Sequence, residues 1–445
     1  MQRVTAVLCA GALLVASGCS SADDAGTGRR ADRTTTTARA EVDQSPGTGA
    51  CDPSDPAACL LPWPNDRFTR ADSTTSTGRR LDLPADGTPA NASGTHIDPT
   101  EWNRNDGFSP ASNLVTVVAD LDVERSKLPT VGTPSRSLED DSPLVLVDMD
   151  TSERVAAWAE LDANMSVADE RALLITPVAA LTEGHRFVVG LRNLVRTDGS
   201  EVDRSEGFER LLRRPTDAQE QWLTALDRSG VDRSSLDLAW SFTVASADSL
   251  SGRLRHMASE TLQRFGDGAP EFTVTSRTEA GPARVVEGTF TMPKYLQGDG
   301  STGSVLNNDD DPNGIPTVDG EMTADFLCLL PKDGSADDPA SMIVYGHGLL
   351  GTRNEVRDIG TTASAVGIGM CATDFLGMSA ADVPTVVKEF ADFSGFRTQP
   401  DRMLQGQLAF VLLGRLLRSA DGFAKDPAFA DASGRPSATS PVRSG

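Results

Sequence analysis

A short apolar run, Met342-Ile343-Val344-Tyr345, leads into Gly346-His347-Gly348-Leu349. Glycines let a main chain approach a reacting carbonyl closely, and a backbone N–H aimed there stabilises the negative charge of a tetrahedral intermediate. Leu349 is the expected donor of that N–H. For His347, beside the two glycines, the expected role is to order the loop by hydrogen bonding, with general-base duty the competing role. The attacking group is missing. No Gly-x-Ser-x-Gly occurs in the 445 residues and no histidine follows His347, so the expected site has an oxyanion cradle, no nucleophile and no downstream base.

A second constellation closes the next apolar run. Asp374-Phe375-Leu376-Gly377-Met378-Ser379 places a serine where a strand is expected to turn into a helix, which makes Ser379 the alternative nucleophile. Loss of nucleophile and base together costs about a millionfold in turnover, whereas an oxyanion hole alone leaves ~10³ to 10⁴ over water. Slight activity is therefore expected. His185, His256 and His96 fall on an expected strand, helix and loop, and none is assigned a chemical role. In Asp309-Asp310-Asp311-Pro312-Asn313-Gly314, the oxygens of Asp309, Asp311 and Asn313 recur at alternate positions before a glycine, as in calcium loops. The glutamate expected twelfth is out of register, because Gly320 stands there and Glu321 follows. Calcium is the one candidate cofactor, against a solvated acidic turn.

The elements that must position these groups fall into two styles. Short apolar runs at 114–118, 144–147, 171–176 and 186–191, spaced by turn formers, predict a β-sandwich-like region. Before them, Leu61-Pro62-Trp63-Pro64-Asn65-Asp66-Arg67-Phe68 reads as an extended strap whose Trp63 and Phe68 seek burial. Helical spacing appears over 217–226 and 247–265, the latter with Leu250, Leu254, Met257, Leu262 and Phe265 as its expected buried stripe, and a strand lies between at 236–244. A hairpin-like stretch with glycine-rich turns bridges 272–320. Strands then alternate with helices: 326–330, 342–345 and 369–374 as strands, 354–365 and 403–417 as helices. That alternation predicts an α/β sheet. The last helix is apolar on nearly every face, which predicts loose packing after about Phe326.

The N-terminus reads as an export signal. Arg3 gives a positive start, Val4 to Val15 an apolar core, and Ala16-Ser17-Gly18-Cys19 a small-residue cleavage site ending in cysteine. Cleavage there predicts a lipid-anchored chain with Cys19 acylated, although Ala16 replaces the usual leucine. The competing reading is an ordinary secretory signal. The apolar run is shorter than the ~20 residues a spanning helix needs. Residues 19–50 are Ser, Ala, Gly, Thr, Arg and Asp with little to bury, and are expected to form a disordered tether.

Beyond Cys9 and Cys19, four thiols remain, Cys51, Cys59, Cys328 and Cys371, and four allow three pairings. The turn-rich Cys51 to Cys59 loop would close with roughly 2 to 3 kcal/mol of stabilisation. By elimination Cys328 then pairs with Cys371, each in a strand-like run. Zinc is the competing use, without Cys-x-x-Cys spacing to support it. A net charge of −23, from 41 Lys and Arg against 64 Asp and Glu, repels phosphate backbones, so nucleic acid is not an expected partner. Aromatic content of 5% argues against a stacking platform for sugars or bases.

Two segments resemble known families. The stretch from Ile175-Thr176-Pro177 through Gly184-His185-Arg186-Phe187-Val188-Val189 resembles bacterial immunoglobulin-like modules. More broadly, Leu61 to Phe68, Gly346-His347-Gly348-Leu349-Leu350-Gly351, Asp374 to Ser379, Asp401-Arg402 and Gln405-Gly406 make the chain from about Cys51 resemble large secreted bacterial lipoproteins related to virulence-factor lipases. That resemblance implies serine ester hydrolysis by an α/β-hydrolase domain behind a β-rich region. It also implies a Gly-x-Ser-x-Gly elbow soon after the helix ending near Leu417. The Ser-, Pro- and Arg-rich tail from Ser433 does not read as such a strand, so a truncated or frame-shifted product is expected. The fold class expected is α+β multidomain: signal 1–18, tether 19–50, β-rich sandwich region with helices 51–265, hairpin or linker 266–322, and the N-terminal portion of a doubly wound α/β-hydrolase domain 323–445. The function expected is that of an extracytoplasmic, membrane-anchored esterase relative, inactive or nearly so, with a non-catalytic surface-binding lipoprotein as the alternative.

Overall fold

Alternating burial along the chain divides the strands into sheets. A computed structural model describes residues 60–91, 93–165, 171–311, 313–431 and 433–437, and these belong to one compact unit. The expectations for the signal, the tether, Cys19, Cys51 and Cys59 lie outside the described residues.

The first half runs β1 (Thr69–Ala71), β2 (Arg79–Leu81), α1 (Thr100–Asn103), β3 (Leu114–Val117), β4 (Leu144–Asp148), β5 (Glu153–Arg154), β6 (Ala157–Leu161), β7 (Ala172–Pro177), β8 (Arg186–Arg192), α2 (Glu206–Arg213), α3 (Asp217–Arg228), β9 (Leu236–Thr243) and α4 (Ala247–Phe265). Strands β3-β7-β6 form one antiparallel sheet and β5-β4-β8-β9 another. Their inner residues, among them Leu114, Ile175, Leu146, Val189 and Phe242, share one apolar core. The immunoglobulin-like expectation reduces to these two sheets over one core, with the helical pair α2–α3 placed between β8 and β9. Gly190 leaves room for α3, since a Cβ there would stand 3.2 Å from Leu226. The strap is pinned by Trp63, which exchanges backbone hydrogen bonds with Val115 at 2.8 and 2.6 Å and sets its ring edge-on to Phe108.

α4 begins and ends where its caps dictate: the Ser246 side chain accepts the Ser249 N–H, and Gly266 closes it at φ +52°. Its expected stripe holds at Met257 and Phe265 and is corrected elsewhere. Leu250 is 42% exposed, and the buried line is Arg253, Met257 and Thr261, because Arg253 faces Asp401 and Thr261 meets the Tyr295 hydroxyl at 3.2 Å.

The second half runs β10 (Phe272–Ala280), β11 (Ala283–Pro293), β12 (Glu321–Pro331), β13 (Ser341–Tyr345), α5 (Val356–Ser364), β14 (Ile368–Thr373), α6 (Val383–Glu389) and α7 (Thr398–Arg418). The sheet order is β10-β11-β12-β14-β13, antiparallel except for β13 beside β14. Within the hairpin or linker region expected over 266–322, β10 and β11 do form a hairpin, and it pairs into the same sheet as β12, which itself begins at Glu321. Period-two alternation gives the sheet two covered faces. Leu327 and Leu329 point into a core with Val356 of α5, whereas Phe326, Cys328 and Leu330 join α7. The Cys328–Cys371 disulfide bridges directly opposed residues of β12 and β14, with Cα atoms 4.0 Å apart.

α7 is well covered rather than loose. Leu408, Leu412, Leu413, Leu416 and Leu417 are buried, packed with Phe423 and Phe429, whose rings stack at 4.2 Å. Past an exposed turn at 433–435, Ser437 is buried and accepts the Ala340 N–H on its carbonyl at 3.0 Å, just before β13. Polar contacts join the two halves. Arg397 pairs with Glu101 at 2.7 Å, and Asn91 Nδ2 donates to the Ala391 carbonyl at 2.9 Å. The whole is a mixed α+β fold. Among the described residues no helix is long and apolar enough to cross a membrane.

Candidate functional site

Parallel pairing brings the loops that leave β13 and β14 together at one end of the sheet. Leu350 N–H donates to the Met378 carbonyl at 2.7 Å, and Ala380 N–H to the Gly351 carbonyl at 2.8 Å. Between them, Gly351 N–H closes a four-residue turn on the Gly348 carbonyl at 3.0 Å, with Leu350 in the left-handed region at φ +57°. Gly351 must lack a side chain, since a Cβ would fall 1.8 Å from Glu355 Oε1. That carboxylate anchors the turn. Glu355 Oε2 accepts the Gly348 N–H at 3.0 Å, and this hydrogen bond is the main cause holding its carboxyl below the usual range. Leu349 crowns the turn, 79% exposed, and its N–H has no hydrogen-bond partner among the described residues.

His347 is buried beneath this turn. Its Nε2 accepts the Phe375 N–H at 2.8 Å, so the ring proton sits on Nδ1 and is donated to the Gly348 carbonyl at 2.8 Å. Neither nitrogen is left to take a proton from a nucleophile. Asp374 fixes the start of the neighbouring segment: Oδ1 accepts the Arg353 N–H at 2.7 Å and Oδ2 pairs with the Arg353 guanidinium, which also reaches Asp325 at 3.1 Å.

Ser379 is buried and its hydroxyl is committed. It donates to Asp382 Oδ2 at 2.7 Å, and the same oxygen accepts the N–H groups of Ser379 at 3.0 Å and Gly377 at 2.9 Å. Asp382 Oδ1 pairs with Arg402 Nε at 2.8 Å, with both side chains almost wholly buried. Arg402 in turn donates to the carbonyls of Gly300 and Ser301 at 2.6 and 2.7 Å. A serine serving as cap, without an imidazole against it, has no activating base.

The remaining motif residues lock α7 to this loop. At Gly377, φ is +88° and a Cβ would lie 2.6 Å from the Gln399 carbonyl; at Gly406 one would lie 2.8 Å from Leu376 N. Gln405 spans to the segment after β11, accepting the Tyr295 N–H at 2.8 Å and donating to the Pro293 carbonyl at 3.0 Å. Asp401 accepts the Leu306 N–H at 3.1 Å. The structure thus gathers Gly346 to Leu349, Asp374 to Ser379 and the 401–406 residues into one assembly. Sequence reasoning missed Glu355 and Arg353, which buttress the turn from seven and five residues beyond Gly348, and Asp382 and Arg402, the pair beneath Ser379.

The acidic turn lies elsewhere. Asp309 and Asp310 are left-handed at φ +55° and +57°, Asp311 Oδ1 accepts the Asn313 N–H at 2.9 Å, and Asn313 Oδ1 accepts from Arg80 at 2.6 Å. Among the described residues, the one grouping of carboxylates and imidazole with atoms close enough to share an ion is Asp148, Asp150 and His185. Each has a local role there: Asp148 bonds His185 Nδ1 at 2.8 Å, and Asp150 accepts the Arg186 N–H at 2.7 Å.

No family model matches this sequence, and no curated protein is similar to it. Among solved structures there is a weak likeness to a Bacteroides fragilis protein assigned as an acetyl xylan esterase, at 14% identity and a TM-score of 0.21. The match covers 37% of this chain and 41% of that one. It is a partial, low-coverage similarity to an esterase-like structure.

Proposed function

We propose that this chain carries the oxyanion-binding half of a serine-esterase-type site on an α/β-hydrolase-like sheet, exported and held at a membrane by a lipid on Cys19. The 445 residues by themselves turn over esters slowly or not at all. The observation that carries this reading is the exposed turn at Leu349, whose unengaged N–H stands beside a histidine and a serine already committed to structural hydrogen bonds. The strand order around β13 and β14, with α5 and α7 on opposite faces, supports the same reading. A fluorophosphonate probe tests it. No covalent labelling and no saturable hydrolysis of short esters are expected of the purified chain; stoichiometric labelling of any serine overturns the proposal.

A second reading, a non-catalytic surface-binding lipoprotein, is favoured by one observation. A cavity in the first half shares no lining residue with the Gly346–Leu349 turn.

A further inference from the structure

That cavity, of about 1250 Å³, opens between the strap, the α2–α3 pair and β9. Its charge runs against the rest of the molecule. In a chain of net charge −23, the walls bring together Arg67, Arg79, Arg210, Arg213 and Arg214 against Asp66 and Asp82. Arg210 and Arg213 make only exposed pairs, with Glu206 at 3.7 Å and Glu209 at 3.2 Å, and such pairs are weak and readily exchanged for another anion. Arg214 is exposed and makes no ion pair among the described residues. The cationic rim therefore has capacity to spare.

The floor is of another kind. Trp222, Trp240 and Phe68 lie behind it, only 5, 3 and 2% exposed, so the groups that meet an occupant there are the half-buried Gln219 and Ser241, which supply neutral hydrogen-bonding groups. Asp66 faces in from the strap. Its Oδ1 is buried without a hydrogen-bond partner, and Arg79 stands 3.7 Å from it. Planar guanidinium groups match carboxylates in pairs of parallel hydrogen bonds. Amide and hydroxyl side chains exchange hydrogen bonds with the hydroxyls of a sugar. Two aspartates in the same wall repel a densely charged phosphate. The volume exceeds the roughly 300 to 1,000 Å³ of most small-ligand clefts, so the occupant is larger than one sugar ring.

We propose that this cavity binds a uronate-containing oligosaccharide, its carboxylates on the arginines of the rim and its hydroxyls against Gln219 and Ser241.

Isothermal titration of the full chain tests the assignment with three probes: trigalacturonate, its fully methyl-esterified form, and tripolyphosphate. Trigalacturonate is expected to bind saturably at one site. The ester, which has the same rings without charge, is expected to bind about tenfold more weakly or worse, and so is tripolyphosphate. The exposed double variant Arg210→Ala/Arg214→Ala is expected to weaken trigalacturonate about tenfold while leaving the ester unchanged. Circular dichroism confirms that each protein used is folded. The proposal is overturned if folded protein shows no saturable binding of trigalacturonate, or if the ester binds equally well. It is equally overturned if tripolyphosphate binds as tightly, or if the double variant binds like the parent.

Discussion

His347 Nε2 accepts the main-chain N–H of Phe375 at 2.8 Å, which ties the loop leaving β13 to the loop leaving β14. The other ring nitrogen holds the Gly348 carbonyl at 2.8 Å, so one imidazole fixes the two ends of the candidate site. A general base in that position would need a free lone pair, and this one is spent on backbone. His347→Ala should therefore act on stability. It orphans a partly buried N–H and a carbonyl, at a cost of about 1–3 kcal/mol. His347→Gln, whose amide oxygen reaches the Nε2 position, should recover part of that loss. Urea unfolding of the three proteins checks both expectations, and any residual ester hydrolysis should keep the same pH profile throughout.

Below Ser379 lies a buried pair whose disruption is expected to matter far more than the serine. Ser379→Ala removes one cap and should cost about 1 kcal/mol, with residual ester hydrolysis unchanged. Arg402→Met leaves Asp382 charged, buried and without its cation, and should cost about 3–5 kcal/mol. Denaturant midpoints separate the two. A Ser379→Ala variant that loses all hydrolysis would return that serine to the list of nucleophiles.

Much of the secondary structure was legible because local chemistry decides it. The runs at 144–147 and 186–191 became β4 and β8, and the helix expected over 247–265 has those ends because Ser246 and Gly266 cap it. What was hidden depends on residues far apart in sequence. The polar stripe of α4 looks wrong until Asp401 and Tyr295 arrive from about 145 and 35 residues on to meet Arg253 and Thr261. Likewise, 272–320 reads as a hairpin-like bridge, because nothing local says that the strand from Ala283 to Pro293 pairs with β12 along eleven residues. At the site, the glycine and histidine motifs were visible, but their supports were not: the Glu355 and Asp382 carboxylates bond backbone N–H groups, which carry no sequence signature.

The Cys328–Cys371 bridge closes a separation of 43 residues across the middle of the second sheet. On a chain-entropy argument, a loop of that size restricts the unfolded state by roughly 4 kcal/mol. Replacing both cysteines with alanine should lower the unfolding free energy by a comparable amount. Adding a reductant to the parent should reproduce the loss once the sheet has opened, and an unchanged midpoint under reduction would refute the assigned role.

Asp66 makes a pH-dependent contribution whose sign follows from its burial. Desolvation is the largest influence and raises its pKa above the ordinary 3.8, only partly opposed by Arg79 and by hydrogen bonds from Thr243 and Ser241. The folded state thus binds this proton more tightly than the unfolded chain does. Its contribution to stability is fully present below pH 3.8 and is lost as pH rises through the elevated folded value. Asp66→Asn, which cannot ionise, should match the parent in acid and become the more stable protein above that window. Paired urea titrations across pH check this, and a difference of constant size at every pH would show that ionisation of Asp66 is not its cause.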